Sequence, residues 1–334
     1  MIMPTLNHLI ALGASTGGLD AIRSVVSKLP ANFPAAILIV VHISPESPNV
    51  MATVLGKAGP LPAATAENGS EIEPGHIYVA AADRHMLVHA SGRIVLSYGP
   101  KENRFRPAID PLFRSVAAVF GPRAIGVILT GNLDDGCAGL AAIREQGGIT
   151  VVQNPEEAVA PGMPTNAIKR VEINHIVRLE DMPKLLVRLA TEKNASPAVS
   201  PVDREMEIEL KIAAEEEPLK AGVRELGQPS MFACPECHGV LLQLKDANSP
   251  RFRCHTGHAY SIDSLCAEFD EKIEESLWNA VRALDENVLL LDTIASQAEA
   301  HGHKDQAAAL RAKLEVTRTR NAKVREALGL ASAD

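Results

Sequence analysis

Three residue types that together can move a proton and cleave an acyl bond stand at the ends of three separate apolar runs. Ser15 lies in Gly-Ala-Ser-Thr-Gly-Gly (13–18), directly after the run 8–13. His42 ends the run 35–42. Asp134 and Asp135 follow the run 124–130, inside Gly-Asn-Leu-Asp-Asp-Gly (131–136). A serine hydroxyl becomes a nucleophile only beside a base, and the base needs a third group to orient it. A glycine-rich turn between strand and helix also exposes backbone amides. These can hold an oxyanion, or they can cradle a phosphate. A dinucleotide loop needs glycine where Ser15 stands, and no acidic residue suited to a ribose follows the second run, where His42 stands instead. The nucleophile is therefore favoured over nucleotide binding. Each residue alone has a plainer explanation: Ser15 as a helix cap, His42 as a hydrogen-bonded strand-end histidine, Asp134 or Asp135 as an N-cap.

A second constellation lies near the other end. Four of the five cysteines, Cys234, Cys237, Cys254 and Cys266, fall between residues 234 and 266; the first three lie in Cys-Pro-Glu-Cys, sixteen intervening residues, then Cys-His-Thr-Gly-His. Thiolates with two residues between them grip one tetrahedral ion from a tight turn, and a second pair supplies the remaining corners. Cys234, Cys237 and Cys254 are candidate zinc ligands. The fourth is His258 or His255, with His258 preferred because Gly257 lets the chain turn back. Cys266 falls within a helical pattern and is the weaker choice. A lobe of about thirty residues buries too little apolar surface to stand alone, so the ion would be structural.

The elements that must position these residues follow from hydrophobic periodicity. The runs 8–13, 35–42, 124–130 and 149–152 read as buried strands. Helical spacing over 19–29 and 135–146 separates them, and 185–190 closes a last helix. The fold class is thus α/β, a doubly wound, mostly parallel sheet in which the carboxyl ends of the strands share one edge. Ser15, His42 and the aspartate pair should meet on that edge. The short runs 76–80, 86–89 and 93–97 read as a hairpin excursion with an antiparallel edge. Residues 195–201 have linker composition and 203–217 read as an acidic amphipathic helix. Apolar residues from Leu277 to Ala298 then alternate steps of four and three. After a break at 301–305, the steps resume from Leu310 to Leu328, with Thr317 and Asn321 polar on the seam. This pattern predicts an antiparallel helical hairpin, its start capped by Ser261 or Asp263.

Several segments, in unbroken order over about residues 8–190, resemble the catalytic domain of the CheB protein-glutamate methylesterases. They are Ile-Ala-Leu-Gly-Ala-Ser-Thr-Gly-Gly (10–18), the Val-Val-His ending at His42, Gly-His-Ile-Tyr-Val-Ala (75–80), Asn-Arg-Phe-Arg-Pro-Ala-Ile-Asp-Pro-Leu-Phe (103–113), the segment 126–136, and Gln-Asn-Pro-Glu-Glu-Ala-Val-Ala-Pro-Gly-Met-Pro (153–164). The resemblance implies a doubly wound α/β fold and a triad: Ser15 as nucleophile, His42 as base, and Asp135, the acidic residue just before Gly136, as orienting carboxylate. It makes the Thr16 amide an oxyanion donor. Asn132 stands where relatives carry methionine and adds a second candidate donor. Asp134 stands where asparagine is usual, and a second carboxylate there is expected to raise the pKa of one of the pair. The implied activity is hydrolysis of glutamate γ-methyl esters on methyl-accepting chemotaxis receptors, with glutamine deamidation at the same carbonyl and no cofactor for catalysis. Arg104 and Arg106 are candidates for holding the substrate helix, or are solvated surface arginines. Chemotaxis relatives carry a receiver domain ahead of this one. Here the catalytic strand starts at residue 8, so none is expected and control should come from elsewhere or be absent.

Composition bounds these readings. The net charge of −8 argues against nucleic acid or an anionic membrane surface as the main partner. No apolar run is long enough to span a bilayer and residues 1–8 lack a signal peptide's basic flank, so a cytoplasmic protein is expected. The expected organisation is a hydrolase domain (1–191), a linker with an acidic helix (192–230), a zinc lobe (231–260) and a helical hairpin (261–330). The hydrolase half should work alone, and the hairpin should engage receptors or other signalling proteins. The rival from another class is a catalytically weak scaffold, which the Asn132 departure favours.

Overall fold

The computed structural model describes residues 6–192, 199–245 and 249–330. The chain runs through β1 (Leu9–Ala14), α1 (Gly18–Val26), β2 (Ala36–Val41), α2 (Met51–Ala58), β3 (Ala63–Thr65) and β4 (Ile77–Val79). It continues through β5 (His85–Val88), β6 (Ile94–Ser97), α3 (Ile109–Phe120), β7 (Ala124–Ile128), α4 (Cys137–Glu145), β8 (Ile149–Gln153), α5 (Gly162–Arg170), β9 (His175–Val177) and α6 (Met182–Thr191). Seven of these strands form one parallel sheet in the order β3-β4-β2-β1-β7-β8-β9. The chain moves outward from β1 on one side and returns beyond it on the other, so β1 is the switch point of a doubly wound sheet.

Both faces are covered, which is why β1 and β2 read as unbroken apolar runs and are buried at every position. Successive side chains point to opposite faces. Leu9, Ala11, Leu38 and Val40 pack with Leu112, Phe113 and Val116 of α3. Ile10, Leu12, Ile37 and Ile39 pack with Ile22 and Val25 of α1. The register sets Gly13 beside Val40 of β2 and Ile128 of β7. The three strand ends therefore lie side by side, and the loops after them leave one edge together.

The expected hairpin excursion is corrected in part. Its first run is β4, a parallel member of the main sheet between β3 and β2. Only β5 and β6 pair antiparallel, as a separate two-stranded ribbon. Helix α3, buried along nearly its whole length, had no expectation behind it. Its residues Ile109, Leu112, Phe113, Val116, Ala117 and Phe120 fall at helical spacing on one face, the signal that could have found it.

Beyond the linker, whose residues 195–198 lie outside the described ones, come α7 (Arg204–Ala213), α8 (Pro218–Ala221) and four antiparallel strands. These are β10 (Gly227–Ala233), β11 (Val240–Leu244), β12 (Arg251–Cys254) and β13 (Ala259–Ser261). Asp203 caps α7 by accepting from the Met206 amide at 2.7 Å. The chain divides into two compact units, and the division falls between Leu265 and Cys266 rather than near residue 192. A buried charge cluster shows why. Arg253 of β12 is fully buried and pairs with Glu102 (3.0 Å) and with Glu209 of α7 (2.9 Å). Arg114 of α3 pairs with Glu102, and Arg251 with Glu209 at 3.0 Å. Burial alone would push both carboxyls up. The adjacent guanidinium groups outweigh it and hold them below the ordinary range.

The last two helices are α9 (Ile262–Ala300) and α10 (Lys304–Ala327). Ser261 Oγ accepts from the Ser264 amide at 3.0 Å and caps α9, whereas Asp263 pairs with Arg170. Within the second unit, Val281, Leu291, Ala295 and Ala298 are buried, as are Ala307, Leu314 and Thr317. Asn321 donates across the seam to Asp285. Among the described residues no helix is long and apolar enough to cross a membrane.

Removing one partner from a buried ionic cluster leaves a charge uncompensated. Arg253→Ala should therefore cost about 3–5 kcal/mol in urea unfolding. Arg93→Ala, which breaks the exposed pair with Glu71, should cost less than about 1 kcal/mol. Equal effects would show that the cluster does not hold the lobe in place.

Candidate active site

Ser15, His42 and Asp135 meet at the shared edge. Asp135 accepts from His42 Nε2 at 2.7 Å, and His42 Nδ1 lies 3.2 Å from Ser15 Oγ. An ionised carboxylate can only accept, so Nε2 carries the proton and Nδ1 turns its lone pair toward the serine. The imidazole is nearly inaccessible, and the Phe105 ring stacks on it with centroids 3.7 Å apart and planes 6° from parallel. That stacking fixes the ring plane while both nitrogens keep their partners.

Asp135 is 2% exposed. Besides His42 it accepts from Asn103 Nδ2 (2.9 Å) and from the amides of Ile109 (2.7 Å), Asp110 (3.4 Å) and Gly136 (3.0 Å). Two of those amides open α3, where unpaired N–H groups and the helix dipole both favour an anion. Burial pushes the Asp135 carboxyl up. The hydrogen bond and charge of His42, then the Ile109 amide and Asn103, outweigh it and hold the carboxyl below the ordinary range. A second buried carboxylate, Asp110, accepts from the other proton of the same Asn103 amide (2.9 Å) and from the Gly139 amide (2.6 Å). Its carboxyl is pushed up to about 8, first by burial and then by the Asp135 charge. One carboxylate of the pair is ionised beside the imidazole and the other stays neutral near pH 7.

Asp134 is turned away from the imidazole. It accepts from Ser261 Oγ at 2.6 Å and pairs with Arg170, and burial is the main reason its carboxyl is raised. The expected carboxylate pair is therefore Asp135 with Asp110, not with its sequence neighbour. The Ser15 amide donates to Thr130 O at 2.9 Å, while among the described residues nothing accepts from the Thr16 amide. Asn132 Nδ2 reaches Thr16 Oγ1 at 3.2 Å, so it lies on the nucleophile's side of the turn. Gly131 lets the two loops approach: a Cβ there would meet Met163 Sδ at 2.1 Å and Ser15 Cβ at 2.8 Å. Arg106 is committed to Asp83 and to the carbonyls of Tyr98 and Gly99.

The CheB methylesterase family model matches residues 10–186, which is more than half of the chain. The chain belongs to the CheB methylesterase family. Over 177 residues it is 43% identical to the protein-glutamate methylesterase/protein-glutamine glutaminase of Yersinia pestis and 44% identical to that of Escherichia coli K12, covering 52% of this chain and 50% of each relative. The chain thus spans about half the length of the curated relatives it matches. The crystal structure of the Thermotoga maritima CheB methylesterase catalytic domain superposes with a TM-score of 0.53 at 31% identity, covering 55% of this chain and 98% of that one. The CheB region includes Ser15, His42 and Asp135. The charge cluster's α7 and β12, the metal-ligand candidates and the hairpin lie outside it.

Cys234, Cys237, Cys254 and His258 also converge, with one ligand atom from each within 4.8 Å of all the others. Cys254 Sγ lies 3.6 Å from Cys237 Sγ and from His258 Nδ1, and Cys234 Sγ lies 3.7 Å from His258 Nδ1. A tetrahedron with zinc bonds of ~2.0–2.3 Å has edges of about 3.5–3.8 Å, which these three separations match. His255 and Cys266 are exposed and outside the group.

Because Asp110 keeps a proton in the folded state up to about 8, while a free aspartate releases it near ~3.9, its contribution to stability is full below about pH 4 and is lost as pH rises toward 8. Asp110→Asn, which mimics the neutral acid, should show a smaller loss of urea midpoint between pH 5 and 8 than wild type. An unchanged pH dependence would show that Asp110 is already ionised.

Proposed function

We propose that this chain is a protein-glutamate methylesterase that hydrolyses glutamate γ-methyl esters on methyl-accepting chemotaxis receptors in the cytoplasm. What supports this reading above all is the Ser15–His42–Asp135 hydrogen-bonded chain, on the residues that match the family's motifs. In this scheme His42 Nδ1 takes the proton of Ser15 Oγ as the oxygen attacks the γ-carbonyl carbon. The negative charge on the tetrahedral oxygen is held by the Thr16 amide, with Asn132 Nδ2 as a second donor. Collapse breaks the bond to methoxide, and His42 returns the proton so that methanol leaves. Water then adds to the acyl-enzyme with His42 again as base, freeing the glutamate carboxylate and Ser15. Asp135 stays ionised throughout and stabilises the imidazolium. The glutaminase half of the relatives' name supports the γ-amide of glutamine as a second substrate at the same carbonyl. Residues 1–191 carry this chemistry, residues 231–260 hold one structural zinc, and the hairpin is the element that engages receptors.

Ser15→Ala and His42→Ala should each abolish methanol release from methylated receptor membranes while leaving the circular dichroism unchanged. Asp135→Asn should lower the rate by roughly 10⁴-fold, and Asp134→Asn by far less. Full release by Ser15→Ala, or equal losses at the two aspartates, would refute the assignment. Elemental analysis should find about one zinc per chain, by the four-ligand logic.

A further inference from the structure

We propose that the metal lobe positions the catalytic groups through Asn103, so that zinc occupancy sets the turnover rate without any chemistry at the zinc. The inference rests on both readings above, the serine hydrolase and the zinc lobe.

Asn103 is 6% exposed and its side-chain amide is engaged from two sides. On the catalytic side, Nδ2 donates to Asp135 and to Asp110. On the lobe side, Oδ1 accepts from the Ser261 amide at 2.9 Å and from Ser264 Oγ at 3.2 Å. A backbone N–H can only donate. While β13 is in place, the amide oxygen must face Ser261, and the NH₂ group must therefore face the two carboxylates. Without β13 the amide oxygen loses both its donors, and only the carboxylates still favour that orientation.

The same strand fixes the backbone of the loop. The Asn103 amide donates to Ala259 O at 2.8 Å, and the Ala259 amide to Lys101 O at 3.2 Å. Asn103 and Arg104 sit at φ 49° and 77°. This left-handed conformation costs of order 1 kcal/mol or more per residue and needs external support. The next residue is Phe105, whose ring orients His42. Two members of the triad are thus held by a loop whose shape depends on β13.

The ligands adjoin that strand. His258 immediately precedes Ala259 and stands three residues before Ser261. The turn from Cys254 to His258 is closed by Cys254 N to His258 O at 3.0 Å. Gly257, at φ 97°, presses it against Pro100, where a Cβ would lie 2.6 Å from Cγ. Glu236, inside Cys-Pro-Glu-Cys, pairs with Lys101 at 2.8 Å, one residue from Glu102. An ion joining Cys234 and Cys237 to Cys254 and His258 would lock this turn, and with it the register of β13 against the loop.

The test uses the full chain with zinc bound, with zinc removed by chelation, and as Asn103→Ala in both states. Zinc content, hydrogen exchange of the peptide spanning 101–107, and kcat and KM on p-nitrophenyl acetate are measured for each. Zinc removal should raise exchange at 101–107 at least tenfold and lower kcat at least tenfold, with KM changed less than twofold. Asn103→Ala should lower kcat to a similar degree with zinc retained, and zinc removal from that variant should then cost less than threefold more. Multiplicative losses, or unchanged exchange at 101–107 after zinc has left, overturn this inference alone. Wild type without zinc overturns the zinc reading and the inference with it. Zinc-loaded wild type without ester turnover overturns the hydrolase reading. Should chelation unfold the lobe, a zinc-loaded Asn103→Ala chain with wild-type kcat overturns the inference by itself.

Discussion

A carboxylate that is almost wholly removed from water stays ionised only if the protein supplies what water would have supplied. Asp135 meets that condition with two side-chain donors, His42 and Asn103, and three backbone amides, two of them from the first turn of α3. Asp110 lies close by and cannot carry a second charge, so the pair divides: the residue with more donors is ionised and its neighbour keeps a proton. The imidazole then has one tautomer available, and its lone pair faces Ser15. Phe105 removes the remaining freedom of the ring.

The same constraint recurs where Glu102 and Glu209 are buried. Here guanidinium groups rather than amides answer it, and they come from α3 and from β12. Because Glu102 precedes Asn103, this second solution is joined to the first by a single peptide bond. Four strands outside the CheB region are fastened by that cluster to the loop that supports Asp135. The compact unit accordingly runs through to Leu265, past the point where composition placed a boundary.

The parallel sheet was legible because β1, β2 and β7 are apolar at every position, as only a sheet covered on both faces allows. The three residues that join in the Ser15–His42–Asp135 hydrogen-bonded chain were legible from their places after those strands. The choice of Asp135 over Asp134 needed the family resemblance, since adjacent aspartates differ only in where the turn aims them. Asn103, Phe105 and Asp110 carry no local signal of their part in the site. Their contacts reach from residue 42 to residue 261, and no local pattern encodes such a distance. Helix α3 did carry a local signal, an apolar stripe from Ile109 to Phe120 at helical spacing. The convergence of Cys234, Cys237, Cys254 and His258 was legible from spacing together with Gly257, whose φ of 97° is the turn that favours His258 over His255. The composition of residues 195–201 carries no information about what packs beyond them.

The central claim is that Ser15 is reactive because His42, held by an ionised Asp135, removes its proton. The most direct test is the intact mass and site mapping of the full chain after exposure to a fluorophosphonate, which reacts with an activated serine and needs no receptor. Wild type should gain one phosphonyl group, on Ser15, and His42→Ala none in the same time. Labelling of His42→Ala at the wild-type rate, or a label on any residue other than Ser15, would contradict the account.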